Sequence, residues 1–260
     1  MVWGKRNIAM AVRPAIPEGE HEEVRGWGWT AEENHWNWGG YLPIELRPEN
    51  YRTANITRSV KHNIDALRSD SLRVNVYSRE KRVRLSINGK VIGEKDVAPD
   101  NYTASFWVAY EPGEIKAEVV GKPSRKDLPS SVIFKTASAP AAIRLTGIHS
   151  GGKDCSAVLS SSHNDLAYIY INIVDEEGNL CPTAELPVTI ETSGVKHIAV
   201  AGTGHPYDMK SFRSLTPTTF RGKALLIIQP QDESGRVSIK VSSPNLKSGE
   251  QEVEFVGSMR

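Results

Sequence analysis

Four short stretches carry residue types that could do chemistry. GIHSGGKD, residues 147–154, has the G-x-x-x-x-G-K spacing of a phosphate loop through Gly147, Gly152 and Lys153. The next residue is Asp154, where a nucleotide site needs a hydroxyl for magnesium, and the chain runs on toward strand-like sequence. A phosphate loop must open a helix, so this stretch reads as a polar loop. SSSHND, residues 160–165, places hydroxyls, an imidazole and a carboxylate in a row. A nucleophilic triad needs such groups to converge in space, and neighbours on one loop read as turn formers. DEEGN, residues 175–179, lacks the spaced oxygens of a calcium loop. The seven histidines form neither an HExxH motif nor a close pair, and no Cys/His grouping has zinc spacing, so no metal and no cofactor is expected.

The fourth stretch is GWGWTAEENHWNWGG, residues 26–40, which holds Trp27, Trp29, Trp36 and Trp38. Flat indole faces suit pyranose rings, and His35 and Asn37 add hydrogen-bonding groups. The carbohydrate-contact candidates are therefore Trp29, His35, Trp36 and Trp38. Trp36 and Trp38 are two apart, so on an extended segment they face one side. Packing that side against a neighbouring domain is the competing use, and it predicts some exposed indole surface. Glu32 and Glu33 are adjacent and point apart when extended, which makes them a poor catalytic pair.

The elements around these stretches read as all-β. Leu72, Val74 and Val76 alternate, as do Val83, Leu85 and Ile87, up to Asn88-Gly89, the signal of a two-residue hairpin turn. Val91-Ile92 begins the return strand. Phe106, Val108 and Tyr110 keep period two, then Ile115, Ala117 and Val119 after the turn Glu111-Pro112-Gly113-Glu114. TASAPAA, residues 136–142, reads as a linker. Beyond it lie Ile143–Leu145, the long run Ala167–Val174, Val188–Ile190, Ala224–Ile228, Val237–Val241 and Val253–Val256. The expected architecture is two successive immunoglobulin-like β-sandwiches, at 72–137 and 138–260, preceded by an irregular Trp-rich segment, 1–71. A short helix over 56–68 is the weakest element of this reading.

Composition narrows the partners. The 260 residues include 32 basic and 31 acidic side chains, a net charge of +1, without the basic excess of a nucleic-acid or membrane-surface binder. No apolar run is long enough for a membrane-spanning helix, and residues 1–6 lack a signal-peptide core. Cys155 and Cys181 are the only cysteines and read as small buried thiols rather than a disulfide. Asn55-Ile56-Thr57 and Asn101-Tyr102-Thr103 fit the glycosylation triplet.

Several stretches in order resemble a known family. They are VWGKRNIAMAV (2–12), WTAEENHWNWGG (29–40), RVRLSINGKVIGEKDV (82–97), FWVAYEPGEIKAEVV (106–120), FKTASAPAAIRL (134–145), HNDLAYIYINIVDEEGNLCP (163–182) and AGTGHPYDMKSFRSLTPTTFRGKALLIIQP (201–230). Together they are similar to the C-terminal part of bacterial glycoside hydrolase family 2 enzymes of the β-galactosidase type. The resemblance implies retaining glycosidases whose chemistry lies in a TIM barrel, with two glutamates about 5 Å apart. Residues 2–12 resemble the segment just after that barrel, so both glutamates are expected upstream of Met1 and no catalytic residue is carried over. Tyr41 to Ser71 has no counterpart in the resemblance.

The reading is thus an accessory β-sandwich region, inactive alone, whose partner is the catalytic barrel of a parent enzyme. Carbohydrate and a second copy of the chain stay open as partners. The resemblance implies a periplasmic or secreted location in a bacterium. The alternatives are a stand-alone carbohydrate-binding module using the Trp cluster, or a structural immunoglobulin-like surface domain.

Overall fold

Asn88 and Gly89 adopt φ of 49° and 78°, the two left-handed residues that a tight hairpin turn requires. They join two antiparallel strands, and the same logic of alternating side chains and short turns builds the rest of the chain. The computed structural model describes residues 6–14, 32–39, 72–149, 159–205 and 208–257. It divides into two compact units, Met1–Thr136 and Ala137–Arg260.

The strands of the first unit are β1 (Ile8–Pro14), β2 (Leu72–Ser78), β3 (Arg82–Ile87), β4 (Lys90–Asp96), β5 (Thr103–Val108), β6 (Glu114–Val119) and β7 (Ser131–Lys135). They form two antiparallel sheets, ordered β1-β2-β5 and β4-β3-β6-β7. Ile8, Met10 and Val12, then Leu72, Val74 and Val76, then Ala104, Phe106 and Val108 are buried at every second position. Val83, Leu85, Ile87, Ile115, Ala117 and Val132 belong to the same core cluster. A slip of one residue would turn any of these sets to water, and that fixes the register. β3 and β4 shift register after Leu85, which pairs with Gly93 while Ser86 pairs with Val91. Ile92 is the extra residue of this bulge, and both it and Val91 stand exposed on the edge strand.

The sequence-based sandwich began at residue 72. Residues 8–14 nevertheless form β1 of the first sheet, paired in register with β2 from Ile8–Ser78 to Pro14–Leu72. Ile8, Met10 and Val12 do alternate, but residues 15–71 separate them from their partner, so nothing local announces the pairing.

The second unit contains β8 (Ala142–His149), β9 (Leu159–Ser160), β10 (Ala167–Val174), β11 (Thr189–Gly194), β12 (His197–Gly202), β13 (Lys223–Pro230), β14 (Gly235–Ser242) and β15 (Gly249–Val256). Its sheets are ordered β12-β13-β10-β8 and β11-β14-β15-β9. All pairs are antiparallel except β15 with the short β9. Ile169, Ile171, Ile173, Leu226 and Ile228 from one sheet and Val237, Ile239, Val241, Val253 and Phe255 from the other form its core. The described residues are therefore all-β, arranged as sandwiches, with no helix among them. The helix considered at 56–68 lies outside the described residues.

Candidate functional site

The segment 32–39 lies against the first sandwich as a strap. Glu33 and Val12 exchange both backbone hydrogen bonds at 2.8 Å, so the strap starts as one further pairing on the outer edge of β1. It then reaches the opposite sheet. The Trp36 indole N–H donates to the Glu111 carbonyl at 2.7 Å, and the Thr136 hydroxyl donates to the Trp36 carbonyl at 2.7 Å. Trp36 packs against Tyr110 with ring centroids 5.3 Å apart, and His35 against Trp38 at the same distance. Gly39 passes so close to Tyr110 that a Cβ would sit 3.3 Å from its ring.

This geometry corrects the expectation for three of the four carbohydrate-contact candidates. Trp36 is 0%, Trp38 3% and His35 6% exposed. Their rings fill the sandwich core, so none offers a face to a sugar or to a neighbouring domain. Trp29, the fourth candidate, lies outside the described residues, as does Trp27. The i, i+2 spacing put both indoles on a buried side, and the side is this sandwich's own.

Glu32 is held where the strap meets β2. Its carboxylate accepts from the Asn75 amide at 2.6 Å and from the Tyr77 hydroxyl at 2.8 Å. Burial, then the neighbouring Glu32, push the Tyr77 phenol up to about 12. Glu33 is buried. The Glu32 carboxylate therefore ties the strap to β2.

Two of the other chemistry-bearing stretches resolve into turns, and the first does not form a phosphate loop at Gly147. Gly147 sits inside β8 opposite Ile169, which denies it the head of a phosphate loop, while Gly152, Lys153 and Asp154 lie outside the described residues. In the SSSHND stretch, Asp165 accepts from the Ser160 amide at 2.9 Å and the Ser160 hydroxyl from the Ser162 amide at 3.2 Å. His163 pairs with Asp232 at 2.9 Å on the surface. These are loop-closing bonds of the Asx and hydroxyl type. Asp175, buried at its turn, accepts from the backbone amides of Ser138 at 3.0 Å and Asn179 at 2.8 Å. Burial works to raise its carboxyl, and the hydrogen bonds from Ser138 and Asn179 outweigh it, so the group stays below the usual range. Cys181 is buried with a free thiol, pushed up to about 11 by burial and by Asp175. Cys155 lies outside the described residues. Among the described residues no cluster of three metal-ligating side chains occurs.

One exposed indole went unused in the sequence reading. Trp107 on β5 is 59% exposed. The signal was available: Phe106 and Val108 point inward, so the residue between them points out.

The described residues thus form a β-sandwich module of two units. The comparisons place it. Residues 154–252 match the family model described as glycoside hydrolase family 2 C-terminal domain 5, and residues 69–123 match one described as a domain of unknown function (DUF4982). The chain is 33% identical over 171 residues to the β-galactosidase BoGH2A of Bacteroides ovatus, which covers 66% of this chain and 19% of that enzyme. A solved family 2 member from Bacteroides cellulosilyticus shares the fold with a TM-score of 0.68 at 22% identity, over 95% of this chain and 28% of that one. A β-glycosidase from Bacteroides vulgatus aligns with a TM-score of 0.61 at 25% identity, over 72% and 23%. Residues 154–252 thus resemble a C-terminal domain of glycoside hydrolase family 2, and two thirds of the chain is similar to part of a β-galactosidase. The chain spans about a fifth of the length of the curated β-galactosidase that it matches.

Proposed function

We propose that this chain serves as the accessory C-terminal region of a retaining, β-galactosidase-type glycosidase and does not hydrolyse glycosides by itself. The observation that carries this reading is the 33% identity to BoGH2A across 66% of the chain but only 19% of that enzyme. Retaining hydrolysis needs an acid and a nucleophilic carboxylate about 5 Å apart across a cleft. Among the described residues the buried acids are Asp175, whose carboxylate ties a turn, and Glu33, whose backbone pairs with β1. In this reading a catalytic barrel supplies both glutamates and packs with these sandwiches. The purified chain is expected to release no nitrophenol from nitrophenyl β-galactoside or β-glucuronide. Turnover that disappears when a single glutamate of this chain is replaced would overturn the proposal.

A further inference from the structure

The outer face of the β1-β2-β5 sheet carries an exposed ring flanked by two cations, Arg73 and Lys95. Arg13, Arg73 and Trp107 occupy one row of that face, since Arg13 pairs with Arg73 on β2 and Arg73 with Trp107 on β5. The Arg73 guanidinium lies 5.6 Å from the Trp107 ring centroid and the Lys95 ammonium 5.3 Å. Both cations are anchored on Ser105, two residues before the indole: Arg73 donates to its hydroxyl at 3.3 Å and Lys95 to its carbonyl at 2.6 Å. Arg73 also donates to the Asn75 side chain at 3.1 Å, and the Ser105 hydroxyl donates to the same oxygen at 2.8 Å. All these acceptors are neutral, and among the described residues no carboxylate pairs with Arg73 or Lys95.

The opposite sheet of the same sandwich treats its cations differently. Arg82 meets Glu94 and Asp96, Arg84 meets Glu94 and Glu118, and Lys116 meets Glu118, at 2.6–3.3 Å. A face built only to be solvated looks like that one. The Arg73–Lys95 pair is instead held in place by neutral groups with its charge open, beside an indole whose surface is mostly free. Glu32, on the same face, is already bound by Asn75 and Tyr77.

We infer that Trp107, Arg73 and Lys95 form a binding site for an anionic saccharide, a pyranose bearing a carboxylate or a sulfate. The sugar ring stacks on the indole, and the acidic group takes the guanidinium and ammonium donors that neutral acceptors leave available. Strand addition by a polypeptide is a worse fit, because Lys95 occupies the Ser105 carbonyl on the free edge of β5. The site needs no turnover by any parent enzyme, so its test is independent of the accessory-region reading.

The test is calorimetric titration of the full chain with an oligogalacturonate and with a sulfated oligosaccharide. A neutral oligogalactoside and an oligoglutamate serve as controls. At least one acidic saccharide should bind saturably, more weakly at higher salt. The affinity should fall about tenfold in Trp107→Ala and again in Arg73→Gln, while the neutral sugar binds at least about tenfold more weakly. Trp107 is exposed and its removal leaves the core intact; Lys95→Gln, with circular dichroism as the folding control, gives a second independent reading. The site is overturned if neither acidic saccharide binds saturably, or if binding is the same in Trp107→Ala. Oligoglutamate binding as tightly as the saccharides overturns it too, and makes the face an acidic-protein dock.

Discussion

The two units use one architecture and close it in different ways. The second fills its interior with aliphatic side chains from both sheets, Ile169, Ile171 and Ile173 against Val237, Ile239 and Val253, with Phe255 as the large ring. Its two sheets have four strands each, although β9 contributes only two residues. In the first unit a three-stranded sheet faces a four-stranded one. The strap takes the fourth place for a single pairing at Glu33, then drops Trp36 and Trp38 into the core and bonds to Glu111 and Thr136. At the other end of β1, the Asn7 side-chain amide donates to the carbonyls of Arg125 and Leu128 at 2.7 and 3.2 Å. A short sheet can therefore be completed by side-chain volume instead of a strand, provided that the added segment is tied at both sheets.

That contrast predicts which residue each unit can least spare. Trp36→Ala removes a fully buried indole and leaves the Glu111 carbonyl unpaired, a loss of about 3–5 kcal/mol. Ile171→Ala empties a comparable place in the second core at about 2–5 kcal/mol. All six tryptophans lie at or before position 107, so indole fluorescence reports the first unit alone. In urea, Trp36→Ala should move the fluorescence transition strongly. Ile171→Ala should shift the circular-dichroism transition and leave the fluorescence one in place. If Ile171→Ala moves the fluorescence midpoint as far as Trp36→Ala does, the two units are one cooperative body and the comparison fails.

Period two made most of these strands legible. The alternations at 72–76, 83–87 and 237–241 describe faces that the structure shows as buried in the same positions. The Asn88-Gly89 turn was legible because only a few residue types accept two positive φ values. β1 and the strap were not, because their partners lie far along the chain: Glu33 meets Val12, and Trp36 meets Glu111 and Thr136. Spacing told that Trp36 and Trp38 share a side; it carries no information on which surface receives that side. His197–Gly202, the strand β12, has apolar residues at consecutive positions, Ile198 to Ala201, and so gave no clean alternation.

The next contrast concerns the turns. In the second unit the turn after β10 depends on one buried carboxylate, Asp175, which serves Ser138 and Asn179. Asp175→Ala leaves those amides without an acceptor and should cost the second unit about 2–3 kcal/mol. The pH dependence follows from the sign of the shift. The carboxyl is held below its unfolded value, so its contribution is complete above the unfolded range near 4 and disappears as pH falls through the lower, folded value. Acid titration of the second unit, followed by circular dichroism, should show a loss that Asp175→Ala lacks. An unchanged acid profile in the variant would assign the turn's stability to its backbone alone.

In the first unit the corresponding role falls to a side chain without charge. Asn88 sits at φ 49°, where most residues are strained, and its amide spans the hairpin tip to the neighbouring turn. It accepts from the Glu114 backbone N–H at 2.8 Å and donates to the Pro112 carbonyl at 3.0 Å. Gly113, at φ 128°, has no room for a Cβ, which would collide with Asn88. Two effects thus coincide at one residue, and two substitutions separate them. Asn88→Gly keeps the left-handed backbone and loses only the two hydrogen bonds, whereas Asn88→Ala loses the bonds and adds about 1–2 kcal/mol of backbone strain. The expected order of fluorescence midpoints in urea is wild type, then Asn88→Gly, then Asn88→Ala, without the acid dependence of the Asp175 turn. Equal midpoints for the two variants would mean that the side-chain bonds alone hold the tip. A Gly variant equal to wild type would mean that the φ preference alone does.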